Sequence, residues 1–145
     1  MATIRREIAL TVEADSVWAK LADFGAVHKK VAPAFLRVDA RLKKAIAVDK
    51  SLGPYVARLG GTLAERNIAG TDRKSAHSWG IAIDLNDTLA DYWRWGARKH
   101  KMPQAIVDAF EAEGFIWGGR WFHYDTMHFE YRPELLDGSC YGARP

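Results

Sequence analysis

The sequence predicts an α+β domain: a short antiparallel sheet with flanking helices. Three observations carry this. Apolar residues recur at helical spacing in the first half, above all over 33–48. Alternating stretches at 79–85 and 127–131 stand in the second half, with further helical patterns between them. The pairs Gly53-Pro54, Gly60-Gly61 and Gly118-Gly119 punctuate the chain where these patterns change. With 145 residues, 48% hydrophobic and 27% charged, the composition is that of one globular domain with its own core.

In order along the chain, residues 3–12 alternate loosely and predict a strand. Asp15-Ser16 then offers an N-cap to a helix in which Val17, Trp18, Leu21 and Phe24 repeat. The helix over 33–48 places Phe35, Leu36, Val38, Leu42, Ala45 and Ile46 on one broad face and breaks at Gly53-Pro54. After an ambiguous 55–59 and the Gly60-Gly61 turn, 62–68 reads as extended, and the polar loop 70–74 delivers Ser75 and His77. The strand over 79–85 puts Ile81 and Ile83 on one face, Ala82 and Asp84 on the other. Asn86-Asp87 turns the chain, and Asp87 is placed to cap a helix over 88–100. Pro103 suits the first turn of a further helix with Ile106, Val107 and Phe110 buried, stopped by Gly114. The short apolar run 115–117, the Gly118-Gly119 turn and the strand 127–131 complete the domain.

The net charge of +3 is too small and too scattered to imply nucleic acid as partner. Lys29-Lys30, Lys43-Lys44 and Arg98-Lys99-His100-Lys101 read as solvated helix faces and a helix C-terminus. A basic surface also suits an anionic polymer such as a cell wall. The single cysteine, Cys140, excludes an intrachain disulfide framework and is a poor candidate nucleophile. No apolar run is long enough to span a membrane, and the N-terminus has no apolar signal-peptide core, so the expectation is a chain made in the cytoplasm without membrane insertion.

Chemistry concentrates in two stretches. Ser75-Ala-His77-Ser-Trp-Gly-Ile-Ala-Ile-Asp84 runs from a loop into a strand. Near the C-terminus, Trp117-Gly-Gly-Arg-Trp121-Phe-His-Tyr-Asp125-Thr-Met-His128-Phe-Glu130 sets a carboxylate three residues before a histidine. A catalytic zinc takes three protein ligands and keeps one position open. His77, Asp84 and His128 fit that count, and their net positive site would lower the pKa of a bound water to about 7. His123 competes for the second imidazole. Alternation from 123 to 128 puts it on the opposite face from His128 if the strand is unbroken. Asp125 is then the candidate acid/base. Charge developing on a substrate carbonyl is covered in part by zinc, and a guanidinium could cover the rest. Arg66 is the first choice and Arg120 the second, an ordinary surface ion pair being the competing reading of Arg66. Ser75 is placed to orient substrate or buttress a ligand. Tryptophans cluster around both stretches, Trp117 and Trp121 among them, and suggest an aromatic wall beside a site, although aromatics more often simply fill a core. His28 and His100 read as surface residues. Nucleophile elbows, phosphate-binding Gly-rich loops, Rossmann fingerprints and His-Glu-x-x-His are absent.

These two stretches resemble the motifs S-x-H-x-x-G-x-A-x-D and D-x-x-H of the D-alanyl-D-alanine carboxypeptidase/L-alanyl-D-glutamate endopeptidase family of zinc peptidases. The resemblance implies that His77, Asp84 and His128 bind zinc, that Asp125 is the acid/base, and that Arg66, in Glu-Arg-Asn-Ile-Ala-Gly, stabilises the carbonyl oxygen. Ser75 matches the motif serine. It also implies the small α+β fold shared with the Hedgehog signalling domain, and bacterial peptidoglycan stem peptides as substrate; a monomer is the separate expectation for the chain. The likeness covers 27–137, leaving 1–26 without a counterpart and 138–145 as a tail. Trp117-Gly-Gly-Arg-Trp121 resembles the L-alanyl-D-glutamate endopeptidases, several of them endolysins that reach the wall through a pore made by another protein. The ending Phe129-Glu-Tyr-Arg-Pro-Glu134 resembles carboxypeptidase-like members. A zinc-bearing binding module of Hedgehog type, without turnover, is the rival; it has no need of an acid/base at Asp125.

Overall fold

A computed structural model describes residues 27–136. The strand expected over 3–12, the helix around Val17–Phe24, Cys140 and the tail lie outside the described residues.

Helix α1 spans Ala32–Val48, with Pro33 in its first turn, where a missing N–H costs nothing. Ala34, Phe35, Val38 and Leu42 form its buried stripe, while Leu36, expected on that face, is 44% exposed. Asp49 ends the helix and turns its carboxylate to the amide of Ser51. Gly53-Pro54 does not merely break the chain: it opens the four-residue helix α2, Gly53–Val56. Helix α3, Gln104–Glu111, packs against α1 and buries Ile106, Val107 and Phe110 as expected. Pro103 is its N-cap rather than its first helical residue. Glu113 accepts hydrogen bonds from both Arg37 and Arg41, stapling the end of α3 to α1. A last short helix, α4, spans Pro133–Leu136.

Three strands, β1 (Ala82–Asp84), β2 (Phe115–Trp117) and β3 (His128–Tyr131), form an antiparallel sheet in the order β1-β3-β2. Its register sorts the two faces. Ile83 pairs with Phe129, and Phe129 with Trp117, so these three share the face toward α3. There Phe110 stacks on Phe129 at 4.1 Å and meets Phe115 edge-on. Asp84 pairs with His128 and Ala82 with Glu130, so these four share the other face. One side of the sheet is core and the other is site.

Two elements differ from expectation. The strand begins at Ala82, not at 79, because Ala76–Trp79 is a 3₁₀ turn closed by Gly80 at φ +66°. A side chain there would be strained, and its Cβ would stand 2.9 Å from the amide nitrogen of His28. The helix expected over 88–100 does not form. Asn86, not Asp87, caps a 3₁₀ turn, Asp87–Leu89, and a second 3₁₀ turn spans Trp93–Trp95. Asp91 turns its carboxylate to the amides of Lys99 and His100. The backbone is spent on other partners: Trp93 N–H donates to Tyr124 O, and Thr126 N–H to Asp91 O. Short polar side chains competing for amides and these long-range bonds overrule helix propensity. Arg98 is therefore not at a helix C-terminus; it donates to Gly119 O and lies over the Tyr124 ring. The pairing matters to the site, since it ties the segment to Tyr124, Asp125 and Thr126. Among the described residues, no helix is long and apolar enough to cross a membrane.

Candidate metal centre

Asp84 and His128 are cross-strand neighbours at the end of the β1–β3 ladder, and His77 comes in from the 3₁₀ turn that precedes β1. Ser75 caps that turn through the amide of His77, and its own N–H donates to Arg66 O. His77 Nε2 lies 3.1 Å from Asp84 Oδ1 and 3.1 Å from His128 Nδ1, and His128 Nδ1 lies 2.9 Å from Asp84 Oδ1. All three side chains are buried.

The outer atom of each imidazole is held. His77 Nδ1 is 2.6 Å from the carbonyl of Thr62, which can only accept, so Nδ1 carries a proton and Nε2 is the atom that would offer its lone pair to a metal. His128 Nε2 is 3.0 Å from Glu130 Oε2, which leaves Nδ1 to face Asp84. Arg132 in turn pairs with Glu130. Zinc ligands at roughly 2.0–2.1 Å in a tetrahedron are about 3.3 Å apart. The three inward atoms are close to that spacing, and two imidazoles with one carboxylate are a zinc-type donor set. His77, Asp84 and His128 together could hold a metal ion.

Burial works against charge throughout the cluster, and hydrogen bonding decides each outcome. It opposes the Asp84 carboxylate, yet bonds from His128 and His77 hold its pKa well below the usual carboxylate range. It opposes the His128 imidazolium, but Asp84 and Glu130 push that pKa up to about 9. Burial opposes the Glu130 carboxylate too, and the bond from His128 lowers its pKa. A dication held by Asp84 and the two imidazoles would take the place of the His128 proton, so zinc affinity is expected to rise with pH between about 6 and 8. Zinc titrations across that range check the slope; an affinity that falls with pH would contradict it.

Asp125 is different. Its Oδ1 is buried with no hydrogen-bond partner among the described residues, and burial together with the Asp84 charge raises its pKa to about 6. It lines the same cavity of about 770 Å³ as the three ligand candidates, and so do Arg66, Ser75 and Trp121. Arg66 holds one guanidinium nitrogen 3.6 Å from Asp84 Oδ2, and its backbone is fixed by Ser78 Oγ. Trp121 leans on the His128 ring at 5.4 Å.

The other candidates lie elsewhere. Trp117 is on the core face, with its indole N–H donating to Thr126 O, and does not line the cavity. Arg120 is bound through two nitrogens to Glu111. His123 lines the cavity outside the metal group, stacked on Trp93. The alternation argument against it does not apply, because β3 begins only at His128. His100 is exposed and bonded to Asp91; His28 is half-buried rather than on the surface.

Residues 69–131 match the family model described as D-alanyl-D-alanine carboxypeptidase. This stretch belongs to that family. It contains the three ligand candidates and Asp125; Arg66 lies just before it. The family is one of zinc peptidases, which is the chemistry the donor set suits.

Glu130 is the residue the motif reading left without a role, and its signal was present: it stands two positions after His128 on a strand, hence on the same face. Glu130→Gln should weaken zinc binding by about 10–100-fold while the fold persists. Equal zinc affinity in wild type and variant would show that Glu130 does not orient the imidazole.

The Trp-Gly-Gly-x-Trp segment also has a physical explanation. A Cβ on Gly118 would lie 2.5 Å from the carbonyl oxygen of Asp125 and 3.3 Å from His128 Cβ. Only glycine lets the chain pass so close, and Gly118 O accepts the amide of Asp125. Gly118→Ala should cost about 1–3 kcal/mol of stability by overpacking. It should also reduce hydrolysis by moving Asp125. Unchanged melting and activity would mean the backbone yields there freely.

Proposed function

We propose that this chain is a zinc peptidase that hydrolyses peptidoglycan stem peptides. We favour an L-alanyl-D-glutamate endopeptidase of endolysin type over a D-alanyl-D-alanine carboxypeptidase, and a monomer acting on the cell wall. The observation that carries the catalytic reading is the half-buried Asp125 carboxyl, whose enclosed Oδ1 has no hydrogen-bond partner among the described residues, in one cavity with a His-Asp-His group. A binding module gains nothing from such a group, which costs stability where it stands.

His77, Asp84 and His128 would hold the metal. When bound, zinc supplies Lewis acidity toward a water and a substrate carbonyl. Asp125 accepts the proton of the attacking water and passes it to the leaving amine, so the carboxylate is regenerated. A pKa near 6 leaves it ionised at neutral pH yet basic enough to accept. Arg66 offers its free donors to the carbonyl oxygen as negative charge develops. Ser75 holds the turn that carries His77, and Trp121 walls the cavity beside His128. The endopeptidase preference rests on the likeness of Trp117-Gly-Gly-Arg-Trp121 to that class.

The test is digestion of purified peptidoglycan with and without chelator, with fragments read by mass spectrometry. Chelator-sensitive release of new N-terminal glutamate supports the endopeptidase. Loss of one terminal D-alanine makes it a carboxypeptidase. Zinc bound without any cleavage would sink the enzyme reading in favour of the Hedgehog-type module.

A further inference from the structure

We infer that Arg94, with Arg73 lining the same cavity, is a carboxylate-recognition point that selects acidic peptides there. The inference rests on the peptidase reading and extends it to the charge of the substrate.

Both guanidinium-bearing residues line the cavity that holds His77, Asp84 and His128. Arg94 is held in place before any ligand arrives. Its Cζ lies 4.8 Å over the Trp93 ring, and Trp93 is itself stacked on His123 at 4.1 Å. One terminal nitrogen donates to Ala69 O at 3.3 Å. The same nitrogen sits against Gly70, where a Cβ would stand 2.7 Å away, so only a residue without one leaves it this seat. A guanidinium has five donors in a planar fork, and this one spends a single bond on the protein.

Its charge is also unmatched. Arg37, Arg41, Arg58, Arg66, Arg120 and Arg132 each pair with an acid. No carboxylate among the described residues lies within 4.0 Å of a guanidinium nitrogen of Arg94 or Arg73. Around the cavity, the three guanidiniums of Arg66, Arg73 and Arg94 face only the two carboxylates of Asp84 and Asp125. The lining thus carries an excess positive charge before any metal cation is added. Planar, pre-oriented and unpaired donors in a positive cavity fit a carboxylate held through two parallel bonds. That carboxylate belongs either to an acidic side chain within the peptide or to a free C-terminus.

Two acetyl-capped substrates separate these sources: L-Ala–D-Glu with its C-terminus blocked as the methylamide, and D-Ala–D-Ala with its C-terminus free. Each is compared with its own carboxamide form, D-Gln or the terminal amide. Hydrolysis is followed in the zinc-loaded wild type, Arg94→Gln and Arg94→Lys. Binding is followed by calorimetry in the Asp125→Ala background, where the peptides stay intact. The wild type should prefer one acid over its amide. Arg94→Gln should raise KM for that acid about tenfold, as expected for losing a charged hydrogen bond, with kcat and the amide's KM unchanged. Arg94→Lys should restore part of the loss, and zinc content should not change. Which acid responds identifies the carboxylate. Equal handling of acid and amide by the wild type, or an acid preference that survives Arg94→Gln, overturns the inference and leaves the peptidase reading intact. Acid-selective, Arg94-dependent binding without cleavage supports the recognition point and overturns the peptidase reading.

Discussion

Asp125→Ala is expected to lower peptide hydrolysis by about 10²–10⁴-fold, the range a positioned acid/base contributes, while zinc stays bound. The separation follows from the geometry. Asp125 shares the cavity with the ligand candidates but is not one of the three groups whose donor atoms cluster. Its carboxyl is half-buried with Oδ1 enclosed, and burial together with the Asp84 charge raises its pKa to about 6. The pH profile follows with a definite sign. A base must be ionised to accept a proton, so kcat/KM should fall as pH drops through about 6, and a cation in the site moves that limb lower. In Asp125→Asn the limb should vanish along with most of the rate. The same change should not destabilise the zinc-free protein. An acid whose pKa is raised on folding opposes the folded state above its unfolded value of about 3.9, and the neutral amide removes that opposition. Rates on a synthetic peptide, zinc content and melting of both forms check the three parts together. Full activity with Ala at this position would remove Asp125 from the mechanism.

How much of this was legible in the sequence differs from element to element. The α1 and α3 patterns read correctly because each helix buries one stripe and α1 carries Pro33 where a helix starts. The site face of the sheet was legible too: alternation alone put Ala82 and Asp84 together, and the register adds His128 and Glu130 to the same side. The same rule applied to 115–117 would have put Trp117 opposite the site, paired with Phe129. The Trp-Gly-Gly-Arg-Trp motif drew the eye to its aromatic ends, although what geometry requires there is Gly118. The segment 86–101 was not legible, because its structure is decided by bonds to Tyr124 and Thr126, far along the chain. Local propensity saw a helix; distant partners made a scaffold that helps seat Asp125. Nor does any residue type announce that Thr62 supplies a carbonyl to His77.

His77→Ala should abolish stoichiometric zinc and, with it, the stabilisation that zinc gives. A ligand held by the native state alone stabilises by about 4 kcal/mol when its free concentration is a thousand times Kd. At this chain length that corresponds to a melting shift on the order of 10 °C. In the wild type, adding zinc to chelator-stripped protein should produce such a shift. In His77→Ala it should shrink to near zero, because the loss of an inner ligand exceeds the 10–100-fold penalty of losing an outer partner. Comparing the stripped forms isolates the structural part. His77 is buried, with Nδ1 bonded to Thr62 O and Nε2 to Asp84, so alanine leaves a void and removes a partner from a buried carboxylate. The stripped variant should therefore melt below the stripped wild type, and the zinc-loaded gap should be wider still. If the two gaps are equal, His77 contributes packing and not a metal bond. If the variant still binds one tight zinc, the ligand set is not His77, Asp84 and His128, and Asp125 or His123 becomes the residue to test next.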